Sequence, residues 1–314
     1  MSLHGHFWTL APRLRARLKP LPEPVGTVPW QGQVVDPELG PLRLTGRLHH
    51  PPGAAELVLL VHGLGGSAES PYMIRGARAA AVAGLASLRL NLRGADLSGE
   101  DFYHAALTAD LEAALADPAL VGYDRLFVLG FSLGGHLTLR LATEAPDPRI
   151  RAFAAVCSPL DLAATQPVLD GQGARFYRRY LLANLMRSYA VLAARRPVPV
   201  PLEEAREIDT FYEFDRRIVA PRHGFDGARD YYRRASVGPR LANLDRPALL
   251  IATHEDPMVA AHTVAPSLER ATSSLEVRWS PRGGHVGFPR DLDLGLPGPR
   301  GLEGQVLGWL LRQG

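Results

Sequence analysis

The residues Gly130-Phe131-Ser132-Leu133-Gly134-Gly135 form a G-x-S-x-G pattern between an apolar run, Leu126–Phe131, and an amphipathic segment that starts near Leu133. Glycines around the serine let the chain turn sharply without Cβ clashes. The Ser132 hydroxyl would then stand exposed above a sheet, at a helix N-terminus. A serine hydroxyl is a weak nucleophile that needs a base, and the base needs a carboxylate to fix its tautomer. The chain offers both in the order serine, acid, histidine. Asp256 sits in Thr253-His254-Glu255-Asp256-Pro257, and His285 in Gly283-Gly284-His285-Val286-Gly287-Phe288. Glu255 competes for the acid's role, and Asp256 read differently would cap the helix that follows. We favour Asp256, because a short carboxylate at a strand-to-helix turn reaches a neighbouring loop, and His285, because its flanking glycines permit close approach to Ser132. His136 and His104 are weaker candidates, each expected inside a helix. The chemistry is nucleophilic attack on a carbonyl.

Charge that develops on a carbonyl oxygen requires two preorganised N–H donors. The backbone amide of Leu133, directly after the serine, is one candidate. The other is the amide of Leu64 in His62-Gly63-Leu64-Gly65-Gly66-Ser67. That glycine-rich loop could instead cradle a phosphate, but it lacks the lysine of G-x-x-x-x-G-K-[ST].

Such a site needs strands that end together. From Glu56 onward short apolar runs alternate with longer amphipathic segments, the rhythm of a mostly parallel sheet covered by helices on both faces. The predicted strands are Glu56–Val61, Leu85–Leu90, Leu126–Phe131, Ala152–Cys157, Ala248–Thr253 and Leu275–Trp279. The predicted helices are Pro71–Val82, Asp101–Ala116, Leu133–Glu144, Met258–Arg270 and Leu302–Arg312. Between Cys157 and Ala248 lies a long stretch, rich in Arg and Tyr, without a clear buried strand. It reads as a helical insertion over the carboxyl edge of the sheet. Within it, Ala174–Arg196 places Tyr177, Leu181, Leu185 and Leu192 on one face and Arg175, Arg178 and Arg179 off it. That helix reads as a lid packed on the core, with lining of an acyl pocket or contact with an anionic lipid surface as the other readings. Upstream, Val34–Val35 and Leu42–Leu48 fit an antiparallel hairpin, preceded by a Pro-rich arm from Pro20 to Pro29. The expected organisation is one catalytic domain: an N-terminal arm with the first strands over 1–54, a core over 55–157 and 236–314, and a helical lid over 158–235.

Composition narrows the setting. At 314 residues, 46% hydrophobic and 21% charged, the chain can bury a large core without disulfide or metal staples. Cys157 is the one cysteine, which suits a reducing compartment. A net charge of +3, spread along the chain, is no nucleic-acid footprint. No run approaches the length needed to cross a bilayer, and the first twenty residues carry their arginines after the short apolar stretch, unlike a secretory signal. A cytoplasmic location is the expectation.

Several further segments resemble the YheT-like (embryogenesis-associated) branch of the α/β-hydrolases, related to eukaryotic abhydrolase-domain lipid esterases. They are Gly5-His6 with Thr9, His62–Ser67, Asn91–Gly94, Tyr103–Leu111, Gly130–Gly135, Phe214–Phe225, Asp230–Tyr232, Glu255–Pro257 and His285–Phe288. The resemblance implies an α/β-hydrolase fold with Ser132 as nucleophile, Asp256 as acid and His285 as base. It also implies hydrolysis of carboxylic esters, often short or medium in the acyl chain, while some relatives act on phospholipids or transfer acyl groups to alcohols. Gly65 stands where the family usually has Glu, and Arg93–Glu100 replaces a shorter turn, both beside the presumed acyl site. The expectation is therefore a serine carboxylesterase without metal or organic cofactor, acting on a small acyl ester or a lipid, with no nucleic-acid partner and no stable membrane insertion, though the lid could touch lipid. The rival readings are a lipid-directed lipase, phospholipase or acyltransferase, and a hydrolase-fold binding protein without turnover.

Overall fold

The computed structural model describes residues 3–144 and 146–314; Met1 and Ser2, at the head of the expected arm, lie outside them. Eight strands form one sheet in the order β1-β2-β4-β3-β5-β6-β7-β8. They are β1 (Val28–Asp36), β2 (Gly40–His49), β3 (Glu56–Val61), β4 (Ala86–Asn91), β5 (Arg125–Phe131), β6 (Ile150–Val156), β7 (Ala248–Thr253) and β8 (Leu275–Ser280). β1 and β2 pair antiparallel, as do β2 and β4, and every pairing from β4 through β3 to β8 is parallel. The hairpin is longer than its apolar residues suggest, because an edge ribbon needs only alternate side chains buried; Pro29 is accommodated on that edge.

Side chains alternate across the central strands, so the sheet feeds two cores. Leu57, Leu59 and Val61 of β3 face one, while Val58 and Leu60 face the other. The second core is closed by α2 (Pro71–Val82) and α12 (Leu302–Leu311), which contribute Met73, Ala77, Val306 and Leu310. The first is closed by α3 (Ala109–Leu115), α4 (Leu133–Ala142), α11 (Ala261–Leu268) and the segment between β6 and β7. That segment is helical, as expected: α5 (Leu162–Asp170), α6 (Arg175–Ala193), α7 (Leu202–Ala205), α8 (Phe211–Phe214), a π-helical turn Asp215–Val219, α9 (Ala220–Arg222) and α10 (Ala228–Ala235). An N-terminal helix, α1 (Leu3–Leu18), runs ahead of the Pro-rich arm, where the sequence reading has only an arm.

Two predicted helices are shorter than expected. Of Asp101–Ala116 only α3 is helical, because Asp101 is spent on ions rather than on a helix start. The guanidinium of Arg93, at the end of β4, bonds Asp110 at 2.7 Å and Asp36 at 2.8 Å, and Arg222 of α9 bonds Asp101 at 2.8 Å and Asp36 at 3.2 Å. This buried cluster ties the hairpin, the 101–108 loop and the helical segment together. His104 therefore lies in that loop and not in a helix. The helix expected from Met258 begins at Ala261, since the amides of Met258 and Val259 are taken by the Asp256 carboxylate.

Candidate active site

The carboxyl ends of β3, β5, β7 and β8 deliver the candidate groups to one place. After β5 the chain turns at Ser132, whose φ of 54° and ψ of −120° are unusual for a residue with a Cβ. The turn is held by the Ser132 amide, which donates to Val156 C=O at 2.8 Å. Glycine is required around it: a Cβ on Gly130 would come within 2.1 Å of Gly134 C=O, and one on Gly134 within 2.3 Å of Val61 C=O. The serine is thus forced out over the sheet edge.

His285 Nε2 lies 2.8 Å from Ser132 Oγ, and its Nδ1 lies 2.9 Å from Asp256 Oδ2. A carboxylate only accepts, so Nδ1 carries the proton and Nε2 accepts from the serine hydroxyl. Asp256 is fixed in turn by the amides of Met258 and Val259, at 2.8 and 2.9 Å. His285 and Asp256 are both buried, whereas Ser132 is half-buried. Of the two competing acids, Asp256 is the one bonded to the imidazole. His136 lies elsewhere, inside α4, its nitrogens against the carbonyls of Pro159 and Ala235.

The loop after β3 is pinned around a free amide. Gly63 N–H donates to the Tyr72 hydroxyl at 3.1 Å, Gly65 N–H to the Tyr103 hydroxyl at 2.8 Å, and Gly66 N–H to Gly63 C=O at 3.0 Å. His62 bonds Gly63 C=O at 2.8 Å and accepts Leu92 N–H at 3.2 Å. Burial lowers its pKa to about 4, so the ring is neutral. Leu64 N–H and Leu133 N–H, by contrast, have no acceptor among the described residues, and both leucines line the same cleft as Ser132 and His285. The loop approaches closely, since a Cβ on Gly63 would lie 2.9 Å from Ser132 Cβ. The geometry leaves two unclaimed donors beside a hydrogen-bonded hydroxyl, an arrangement suited to binding an oxyanion.

Beyond these groups the cleft is mainly apolar. Leu162, Leu181, Leu185, Phe211, Phe214 and Val219 line it, all from the helical segment. Tyr177, Leu181, Leu185 and Leu192 are buried on α6 as expected, with Arg175 and Arg179 exposed and Arg178 half-buried. One carboxyl interrupts the apolar wall: Asp215, in the π-helical turn, accepts from the Tyr232 hydroxyl at 2.7 Å, and burial raises its pKa to about 7.

Two supports of the His285 loop, and a tie between α1 and α6, are not marked as such in the sequence. Its amide donates to Thr9 Oγ1 of α1 at 2.8 Å, and that hydroxyl donates on to Gly5 C=O at 2.7 Å. Cys157 grips the backbone on either side of it, its Sγ 3.6 Å from Gly284 C=O and 3.4 Å from Val286 N–H. His6 meets the hydroxyl of Tyr177 at 2.7 Å, linking α1 to α6. Only the likeness at Gly5, His6 and Thr9 marked this region, without a role. Ser132, Cys157 and Val286 all hold positive φ, so backbone strain gathers here. Cys157, Asp256 and His285 place donor atoms within 4.8 Å of one another, a trio of metal-ligand types. Their atoms are committed to the hydrogen bonds above, and burial holds the thiol well above its usual pKa, against the thiolate a metal needs.

A family model described as the alpha/beta hydrolase fold matches residues 56–291, and YheT of Escherichia coli (strain K12), which bears the name of an esterase, is 33% identical over 74% of this chain and 70% of its own length. The chain belongs to the YheT-like branch of the α/β-hydrolases. A Saccharomyces cerevisiae protein named monoacylglycerol lipase is 26% identical over 76% of this chain and 56% of its own length. Among solved structures, an esterase of Pyrococcus furiosus superposes with a TM-score of 0.54 at 19% identity, covering 84% of this chain and 90% of that one. The last match speaks for the fold alone. The chain is thus an α/β-hydrolase of the esterase and lipase type. Among the described residues no helix is long and apolar enough to cross a membrane.

Proposed function

We propose that the protein is a serine carboxylic-ester hydrolase that acts on short- or medium-chain acyl esters through an acyl-enzyme. The observation that carries this reading is the unbroken chain Ser132–His285–Asp256 beside the two unclaimed amides of Leu64 and Leu133. His285 removes the hydroxyl proton as Ser132 Oγ attacks the ester carbonyl. The oxyanion of the tetrahedral intermediate is held by Leu64 N–H and Leu133 N–H. Collapse expels the alcohol, which takes the proton from His285 and leaves the acyl group on Ser132. Water, deprotonated by His285, then attacks the acyl carbon, and collapse returns the proton to Ser132 and frees the acid. Asp256 keeps the imidazole in its working tautomer and stabilises the cation formed in each half-reaction. The helical segment over 158–235 serves as the lid, and its leucines and phenylalanines as the acyl site.

A second reading, lipase, phospholipase or alcohol acyltransferase activity, draws support from the names of the relatives. One is the yeast protein above, and another a human phospholipase that is 23% identical over 74% of this chain. Transfer and hydrolysis share the acyl-enzyme and differ in the acceptor.

Hydrolysis of p-nitrophenyl esters from acetate to palmitate, by the wild type and by Ser132→Ala, tests both readings. Turnover peaking at short or medium chains and falling by about 10⁶-fold in the variant is expected. A serine-dependent peak at palmitate moves the weight to the second reading, and turnover that survives in Ser132→Ala refutes both.

A further inference from the structure

α1 carries its large apolar residues on the wrong side for a packed helix. Leu3, Phe7, Leu14 and Leu18 are 88%, 55%, 57% and 88% exposed. At 3.6 residues per turn these four positions fall within an arc of about 60°, a single stripe along the whole helix. The opposite arc holds Gly5, Thr9, Pro12 and Ala16, of which Gly5 and Thr9 are buried. That small face is the one fitted to the His285 loop: a Cβ on Gly284 would strike Gly5 C=O at 2.2 Å, and one on Gly287 would strike Trp8 C=O at 2.0 Å. The docked face is therefore accounted for, and the stripe is left over.

The surroundings of the stripe are basic. Arg15 and Lys19 are exposed, and the sequence from 1 to 22 holds no Asp or Glu. Along one flank of α1, against α2 and the turn before α12, runs a groove of about 1250 Å³ with Phe7 and Leu18 at its edge. Arg15, Lys19, Arg75, Arg78, Arg290 and Arg300 line it against two acids. Glu23 is taken by Arg47 and Arg89, Glu303 by Arg75 and, outside the groove, Asp293 by Arg300, which leaves Arg15, Lys19, Arg78 and Arg290 without a carboxylate partner among the described residues. A continuous apolar stripe flanked by unmatched positive charge is the pattern of a helix that lies in the plane of a lipid interface, its apolar side chains among the acyl chains and its cations at anionic headgroups. A second copy of the chain fits less well, because a two-fold contact through α1 would set this basic surface against itself.

We propose that α1 is an interfacial docking helix, which seats the protein on an anionic membrane surface through Leu3, Phe7, Leu14 and Leu18. Because the reverse side of the same helix bonds the His285 amide, docking sets the proposed base about one helix diameter, 10–12 Å, from the lipid surface. Only this last consequence, delivery of a lipid ester to the site, rests on the esterase reading; attachment itself does not.

The test is sedimentation with vesicles of phosphatidylcholine alone and of phosphatidylcholine mixed with phosphatidylglycerol. The wild type should bind the anionic vesicles, more weakly as salt is raised. Leu14→Asp with Leu18→Asp should lose about tenfold or more in partitioning, since each change removes an apolar side chain from the bilayer and adds a repelled charge. Both residues are exposed, so the variant should keep the wild-type melting temperature and its turnover of a soluble short-chain ester. Val121→Asp, which alters an exposed apolar residue elsewhere, should bind as the wild type does. Ser132→Ala should also bind normally, which separates failure of docking from failure of the enzyme reading. The proposal is overturned if the wild type ignores anionic vesicles, if it binds both vesicle types equally, or if the double variant binds undiminished. It is overturned as well if sedimentation velocity finds a dimer that the double variant splits while no vesicle is bound.

Discussion

α6 turns Tyr177, Leu181, Leu185 and Leu192 inward and leaves Arg175 and Arg179 in water, whereas α1 turns Gly5 and Thr9 inward and leaves Leu3, Phe7, Leu14 and Leu18 outside. Both helices flank the candidate site, α6 at its cleft and α1 at the His285 loop, and His6 touches Tyr177 between them. The difference follows from what each one covers. α6 roofs a cleft and must fill space with large side chains, so its contribution is apolar burial. α1 lies directly against the backbone of the His285 loop, where only small residues let two main chains come close, so its contribution is fit and hydrogen bonding. In one helix, the exposed Phe176 apart, bulk marks the buried face, and in the other it marks the free face.

The sharpest way to break this comparison is to add one methyl group where α1 and the His285 loop meet backbone to backbone. Gly284→Ala should push α1 and the His285 loop apart and lower ester hydrolysis by about 100-fold or more, with a smaller loss of thermal stability. Equal activity in that variant would mean that α1 does not position His285. On the other side, Leu185→Ala should cost about 2–3 kcal/mol in denaturant unfolding, toward the low end for a leucine because the cleft already leaves space beside it. It should also move the preferred ester toward longer acyl chains, since the cleft gains volume; stability loss without that shift would leave α6 as cover only. The last test concerns the exception on the apolar wall. Burial raises the Asp215 pKa from its ordinary 3.8 to about 7, so the folded state holds a proton that the unfolded chain has already released between those values. This contribution to stability is complete below about pH 4 and is lost as pH rises to about 7. Asp215→Asn should lack that decline, which melting temperatures of variant and wild type across the range will reveal as a gap that widens toward neutral pH.

The same comparison explains what could be read from the sequence. β3, β5, β6 and β7 are buried on both faces and are therefore continuous apolar runs, and the turns after β5 and β8 announce themselves by glycines that geometry demands. Ser132, Asp256, His285, Leu64 and Leu133 were legible because each lies next to such a strand end. α6 was legible because its apolar stripe faces inward, as helical patterning assumes. α1 escaped because that assumption is reversed there. The 101–108 loop escaped for another reason: helical spacing from Asp101 is sound locally, but its carboxylate is claimed by Arg222, a residue far away in the chain, and by Arg93. Tyr72 and Tyr103 were missed likewise, since nothing near either residue in the sequence marks its hydroxyl as the acceptor for an amide of the loop after β3.

Cys157 gives this architecture a clock. The chain has one thiol, it is 2% exposed, and burial keeps it protonated, so a water-soluble thiol reagent finds nothing to modify while the strand ends stay together. Its Sγ sits between Gly284 C=O and Val286 N–H, so any opening that admits the reagent also releases the segment carrying His285. At reagent concentrations that trap the thiol faster than the region recloses, labelling proceeds at the pace at which this region comes apart, and every modified molecule records one such event. Without an engineered probe, the native chain reports how long its own site remains assembled.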